Sequence, residues 1–305
     1  MLLHLVHETR YTYTPSVEHA HHVLHLKPAS LANQQLLHRQ LTISPQPTQL
    51  RELPDVYGNI RTFFSLHAPH NQLTVVADSV VATQVPTPIV QPGLPWEEVG
   101  EQFRYQAGGR YNSAADFVFA SPYVPYDDQF AEFARPSFVP GRPLPEAAQA
   151  LMERIHQSMR YESDSTEVGT PALQALQLGK GVCQDFAHIM VACCRAMGVP
   201  ARYVSGYLLT QPAPGQPRLI GSDASHAWAS VYCTTADGTG AWLDFDPTNN
   251  RPPGEDYITL ATGRDFLDVS PMRGVIRGGA RHVLDVAVTV TPMDTAPAPG
   301  SGATS

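Results

Sequence analysis

The sequence predicts an α+β protein, with a small all-β sandwich domain followed by a core of helices and antiparallel strands. Three observations carry this. The first 85 residues alternate with period two in short runs and show no helical period of useful length. Clear helical spacing begins at Pro145 and returns at Cys183. Strand-like runs then resume after Pro200.

The elements follow in order. Arg10 to Tyr13, His21 to Leu26 and Leu41 to Ser44 alternate, and Ile60 to Leu66 follows a Tyr57-Gly58-Asn59 turn, whose Gly and Asn tolerate positive φ. The β-branched run Leu73 to Val81 closes the domain, assigned to residues 1–85. VPTPIVQPGLPWEE carries four prolines and reads as an extended linker over residues 86–99. A core over residues 100–292 begins with short helices around Trp96–Arg104 and Gln129–Ala134. In Pro145 to Met159, residues Ala148, Leu151, Met152, Ile155 and Met159 share a face. Thr170-Pro171 reads as N-cap and first helical residue of a short helix ending at Leu178, stopped by Gly179. In the next helix Phe186, Met190, Cys193, Cys194 and Met197 repeat at three and four, and Gly198 and Pro200 end it. Strands are expected over 201–209, 227–233, 241–245 and 282–290, and a disordered tail over 293–305.

Composition narrows the function. Hydrophobic residues make up 43% of the 305 and charged residues 16%, which excludes a disordered chain or a coiled coil. The net charge is −8 and no basic block stands out, so no nucleic-acid partner is expected. No apolar run approaches the roughly 20 residues of a membrane span, so no membrane partner is expected. MLLHLVHETR lacks a basic leader, and with four Cys in no disulfide-like pattern the expected location is cytoplasmic.

Cys183 follows Gly179-Lys180-Gly181-Val182 at a helix N-terminus, where unpaired N–H groups and the helix dipole favour a thiolate nucleophile. Cys193 and Cys194 lie on the apolar face as filler. A thiol nucleophile needs a base and an orienter. The strands over 227–233 and 241–245 flank a connection centred near Ala236 or Asp237, so His226 faces positions 246 to 248. Asp246 stands there, able to hold the imidazole tautomer and stabilise the imidazolium. Asp244, two residues away on the same strand face, is the rival orienter.

GVCQDFAH at 181–188, PARYVSGY at 200–207, SHAWASVY at 225–232 and WLDFDPTN at 242–249 together resemble the transglutaminase-like superfamily. The nearer similarity is to its bacterial branch of candidate cysteine proteases or transglutaminases. HETRYTY, HLKP at 25–28 and DVYGNIRTFF resemble that branch's N-terminal β-rich domain, and RGVIRGGARHVLDVAVTVTP its closing strand. The resemblance spans the chain except linker and tail. It implies a papain-like core, the Cys-bearing helix packed on an antiparallel sheet, with Cys183 as nucleophile, His226 as base and Asp246 as orienter. It also favours Asp246 over Asp244.

The Cys183 N–H is the first oxyanion donor in such folds, Gln177 is a candidate second, and Tyr203 and Trp228 are candidates to line the acyl site. The expected reaction is acyl transfer or hydrolysis on an amide through a thioester, with a peptide or protein bearing that amide as partner. A peptide-binding scaffold is the alternative. His19, His21, His22 and His25 cluster near the N-terminus, but with neither a nearby Cys nor an HExxH they read as surface histidines. No metal and no cofactor is expected.

Overall fold

In the computed structural model, residues 1–86, 93–104, 107–108, 111–210 and 225–293 are described. Five strands open the chain: β1 (Leu2–Leu24), β2 (Gln34–Ser44), β3 (Gln49–Pro54), β4 (Ile60–Leu66) and β5 (His70–Thr83). The two runs predicted at Arg10 and His21 belong to one strand. Their alternation breaks at Thr14-Pro15-Ser16, which are all exposed, and again at Glu18-His19, where a register shift moves the buried face from odd to even positions. Strand β3 escapes the period-two reading because every residue in it is exposed.

Strand β1 is shared by two layers. On one side its C-terminal part pairs with β4 and its N-terminal part with β5. Strand β2 extends β5, and β3 extends β4. Phe64, Leu66, Leu73, Val75, Ala20 and Leu24 pack between the layers, so the sandwich is made from one seven-stranded sheet folded over.

The next elements are α1 (Trp96–Gln102), a 3-10 turn (Ser113–Phe117), α2 (Asp128–Ala134), α3 (Leu144–Ser158), β6 (Arg160–Tyr161), α4 (Ala172–Leu178), β7 (Lys180–Gly181) and α5 (Cys183–Ala196). Helix α1 begins inside the expected linker, and Leu94 N–H donates to Thr234 O, so the linker reading fails from about residue 93. Residues 87–92 of that stretch lie outside the described residues. Helix α4 begins one residue later than expected. Pro171 is its N-cap with extended backbone, and the Thr170 hydroxyl instead accepts from Glu167 N–H. Gly179 caps it at φ 64°, the left-handed region that glycine occupies without strain.

The remaining elements are β8 (Ala201–Leu208), β9 (Ser225–Thr234), β10 (Gly240–Phe245), β11 (Tyr257–Gly263), α6 (Phe266–Val269), β12 (Met272–Gly278) and β13 (Arg281–Pro292). A four-stranded antiparallel sheet runs β10-β9-β8-β11, and α3 and α5 pack on it through Leu151, Ile155, Phe186, Met190, Ala229 and Val231. Strand β11 has one partly exposed residue and six buried ones, so it lacks the alternation that would betray it.

The boundary drawn at residue 292 is corrected by topology. Strands β12 and β13 lie along the other side of β1, from Leu24↔Met272 to Leu3↔Pro292, and complete the N-terminal sheet. That sheet is also fused to the core. Leu3, Leu5, Val81, Val288 and Val290 pack with Tyr203, Tyr207, Ala227, Ile258 and Leu260, and His7 Nδ1 lies 2.6 Å from the Tyr207 hydroxyl. The tail from residue 294 lies outside the described residues. Among the described residues no helix is long and apolar enough to cross a membrane.

Candidate active site

The segment before Cys183 is fixed on both sides. Strand β7 pairs with β6, and Glu162 N–H donates to Gly181 O at 3.0 Å. Val182 is extended, and the buried Asp185 carboxylate reaches back to its N–H at 2.8 Å while accepting from the Thr166 hydroxyl at 2.6 Å. A Cβ at position 181 would sit 2.6 Å from Asp185 Oδ2, so the glycine is what lets that carboxylate close the helix start. Asp185 N–H is already bonded to Val182 O. The N–H groups of Cys183 and Gln184 are left at the open end of α5, without acceptors inside the helix.

Strand β9 brings His226 to this end of the helix. The β9–β10 register runs from Gly240↔Thr234 to Phe245↔Ala229, centred on Asp237. His226 Nε2 donates to Asp246 Oδ2 at 2.7 Å, while the Cys183 thiol, which donates to Ser225 O at 3.8 Å, is near enough to the ring to raise its pKa. With Nε2 held by the carboxylate, Nδ1 is the nitrogen left for the sulfur. Burial pulls the His226 pKa down, but the hydrogen bond to Asp246, the nearby Cys183 thiol and the charges on both outweigh it and push it up to about 10. Burial likewise opposes ionisation of Asp246, and its bond to His226 overcomes this and lowers its pKa.

The Asp246 carboxylate is fully buried and held by donors that sequence reasoning did not assign. The Tyr257 hydroxyl and Asn249 Nδ2 each donate to Oδ2 at 2.7 Å, and Thr248 N–H donates to Oδ1 at 2.9 Å. Asn249 lies inside the quoted motif WLDFDPTN, so only its role was missing. Tyr257 is on β11, the strand with no periodic signal. Asp244 does not touch His226; it is beside Arg202 and Ser230.

The other candidates are placed elsewhere. Gln177 is exposed on α4 and donates to Gln129 Oε1 at 3.0 Å, so it is not aimed at Cys183. Tyr203 is near Cys183 but buried, packed on His188 and Phe266. Trp228 is fully buried, edge-on to Tyr257 and 6.2 Å from the His226 ring, so it walls off the His226–Asp246 pair from behind. Tyr161, 52% exposed, is an aromatic near Cys183: burial first and the thiol's charge second raise its hydroxyl pKa. Its two-residue strand gave no sequence signal.

The surface reading of the N-terminal histidines holds for two of the four, His19 and His21, which both lie against His67, and fails for the buried pair His22 and His25. His19 and His21 are exposed, while His22 is buried against Phe64 and His25 Nδ1 bonds Ser270 O. The other three cysteines are buried, and burial pushes their thiols up, Cys194 to about 12.

Comparison with known proteins gives the lineage. The family model of the transglutaminase-like superfamily matches residues 132–247, and that of the bacterial transglutaminase-like N-terminal region matches residues 3–82. An uncharacterized protein of Mycobacterium tuberculosis is 39% identical over 295 residues, 95% of this chain and 92% of that protein. A protein-glutamine gamma-glutamyltransferase of Pseudomonas aeruginosa is 31% identical over 113 residues, 34% of this chain and 16% of that protein. The crystal structure of a candidate cysteine protease from Cytophaga hutchinsonii superposes with a TM-score of 0.72 at 21% identity, covering 98% of this chain and 93% of that one, which shows a common fold. The chain belongs to the transglutaminase-like superfamily, a family of cysteine-dependent chemistry on amide bonds, in its bacterial form with the β-rich N-terminal region.

Proposed function

We propose that this chain is a cysteine acyltransferase or hydrolase that opens a carboxamide through a thioester on Cys183. The observation that carries the reading is the His226 ring, held at Nε2 by buried Asp246 and placed beside Cys183 at the start of α5. His226 takes the thiol proton and the sulfur attacks the amide carbonyl carbon. The oxyanion is met by the N–H groups of Cys183 and Gln184 at the open end of α5. His226 then gives its proton to the departing ammonia or amine, the C–N bond breaks and the thioester remains. An incoming amine or water loses a proton to His226, attacks the thioester and releases the thiol. An amine gives transamidation; water gives deamidation or peptide cleavage.

The glutamine side chain is the carboxamide we favour, because the Pseudomonas relative is named for transfer from protein glutamine. Nucleophile, base and oxyanion donors all come from the chain, so the rate should survive a chelator and be destroyed by a thiol alkylator.

The test is a mass-read screen of glutamine peptides and short peptides, with and without a primary amine, against the wild type and Cys183→Ala. The expected result is a product with the wild type only. Turnover by Cys183→Ala would overturn the nucleophile. Absence of any product, with Cys183 alkylated no faster than buried Cys233, would leave a peptide-binding scaffold instead.

A further inference from the structure

We propose that the cleft between the N-terminal sheet and the core binds a small molecule with a carboxylate or phosphate head on a short apolar body, and that Arg202 receives the head. The cavity there measures about 540 Å³, within the range of small-molecule pockets, which favour such junctions. Its walls are the segment after β1, the β3–β4 turn, β11 and Arg202 on β8. Both rims are tied to β11. Ala29 N–H donates to Thr259 O at 3.0 Å, and the Asn59 side chain exchanges two 2.8 Å hydrogen bonds with the Thr262 backbone. The space is therefore framed by bonded backbone.

Arg202 is the residue that points to a ligand. Its guanidinium lies over the Trp242 ring, 4.1 Å from the centroid, and Trp242 is itself held edge-on by Phe117 and Tyr232. The fork is thus oriented before anything binds. Its Nε is buried without a hydrogen-bond partner, and among the described residues the side chain makes no hydrogen bond and no ion pair. Asp244 stands beyond Ser230 on the same sheet face. Its charge raises the Arg202 pKa, but burial outweighs it and brings the value down to about 10.

A desolvated cation with no bonded acceptor is costly, and an oxyanion in the cavity supplies the acceptor that the chain withholds. The other cation on the wall, Lys27, is already held by Glu52 at 3.0 Å, which leaves the head group to Arg202. Leu31 and Ile60 line the same space and give an apolar body somewhere to lie. The wall therefore selects an anion with a hydrocarbon or aromatic portion over a bare ion.

The experiment is thermal unfolding of the full chain in sodium butyrate or butyl phosphate, against sodium chloride at equal ionic strength. At ten times the half-saturating concentration the melting temperature of the wild type should rise by about 2 °C. The anion that acts identifies the head group. Arg202→Met keeps the stem over Trp242 and removes the fork, and the rise should vanish. Thr262→Glu leaves Arg202 in place. Thr262 pairs with Val204 and so shares the face of Arg202, which lets the new carboxylate occupy the fork from within the chain. This variant should also lose the rise, and it decides the matter if Arg202→Met does not fold by circular dichroism. A wild type with no saturable rise in either anion would overturn the proposal. So would an equal rise in the wild type and a folded variant, the mark of a general solvent effect.

Discussion

Asp246 Oδ2 accepts from His226, Tyr257 and Asn249, each at 2.7 Å, while Oδ1 takes backbone N–H groups of the following turn. A buried carboxylate so surrounded is pinned in one orientation, and through it so is the imidazole. Tyr257→Phe deletes one donor and keeps the ring. We expect a loss of roughly 1 kcal/mol in thermal unfolding and a fall in kcat, with KM little changed because Tyr257 is buried and bonded to Asp246. A KM effect alone would mean that the tyrosine binds rather than positions. Cys193→Ala should instead cost stability, roughly 1 kcal/mol or more, and leave turnover intact, measured by denaturant unfolding and the peptide assay. Cys183, His226 and Asp246 were legible because a helix start and a hairpin are local: a few dozen residues of pattern place them. Tyr257 was not, because its contact with Asp246 depends on how β11 lies beside β8, and nothing near it in sequence encodes that.

At the scale of elements, the close approach of β8 to β11 and to Trp228 depends on Gly206. A Cβ there would lie 2.2 Å from Ile258 O and 2.6 Å from the Trp228 ring. Backbone cannot yield as a flexible side chain can, so Gly206→Ala should push β11 outward and carry Tyr257 away from Asp246. The expected result is a loss of several kcal/mol, of the order seen for overpacked cores, with activity reduced in the molecules that still fold; a normal melting temperature would show that the strands tolerate the shift. Elements with one buried face, such as α3 and β4, were legible from period alone. Those exposed throughout, such as β3, or buried throughout, such as β11, were not, since both erase the alternation on which such reading rests.

Across the whole molecule, pH acts through buried histidines of opposite sign. Burial lowers His7 to about 4 and His188 to about 3, and burial with the neighbouring His70 lowers His22 to about 4. In the unfolded chain each titrates near 6.5, so unfolding takes up protons below that pH and stability falls as pH drops from there toward 4. His226 has the reverse sign. Its raised pKa contributes stability that is full below 6.5 and is lost as pH rises toward about 10. The lowered pKa of Asp246 contributes stability above the unfolded carboxylate range, lost as pH falls below it. Melting temperature against pH should therefore pass through a maximum near neutrality. Substituting His22 by Phe should flatten the acid limb by roughly a quarter, since it removes one of four such protons with those of His7, His25 and His188; an unchanged slope would mean that the acid transition belongs to carboxylates alone. The final strands were legible only in part. Their alternation announces strands but not partners, and the partner of β13 lies at the opposite end of the chain.

That pairing has a consequence for how the protein comes into being. Of the described strands, the earliest in the sequence is bordered by the latest, so this sheet is complete only once residue 292 has been made. During synthesis the side of β1 that β12 and β13 cover has no partner from them until those strands emerge. A chain released before residue 272 would therefore keep one side of β1 open and be a substrate for chaperones and proteases rather than a shorter enzyme.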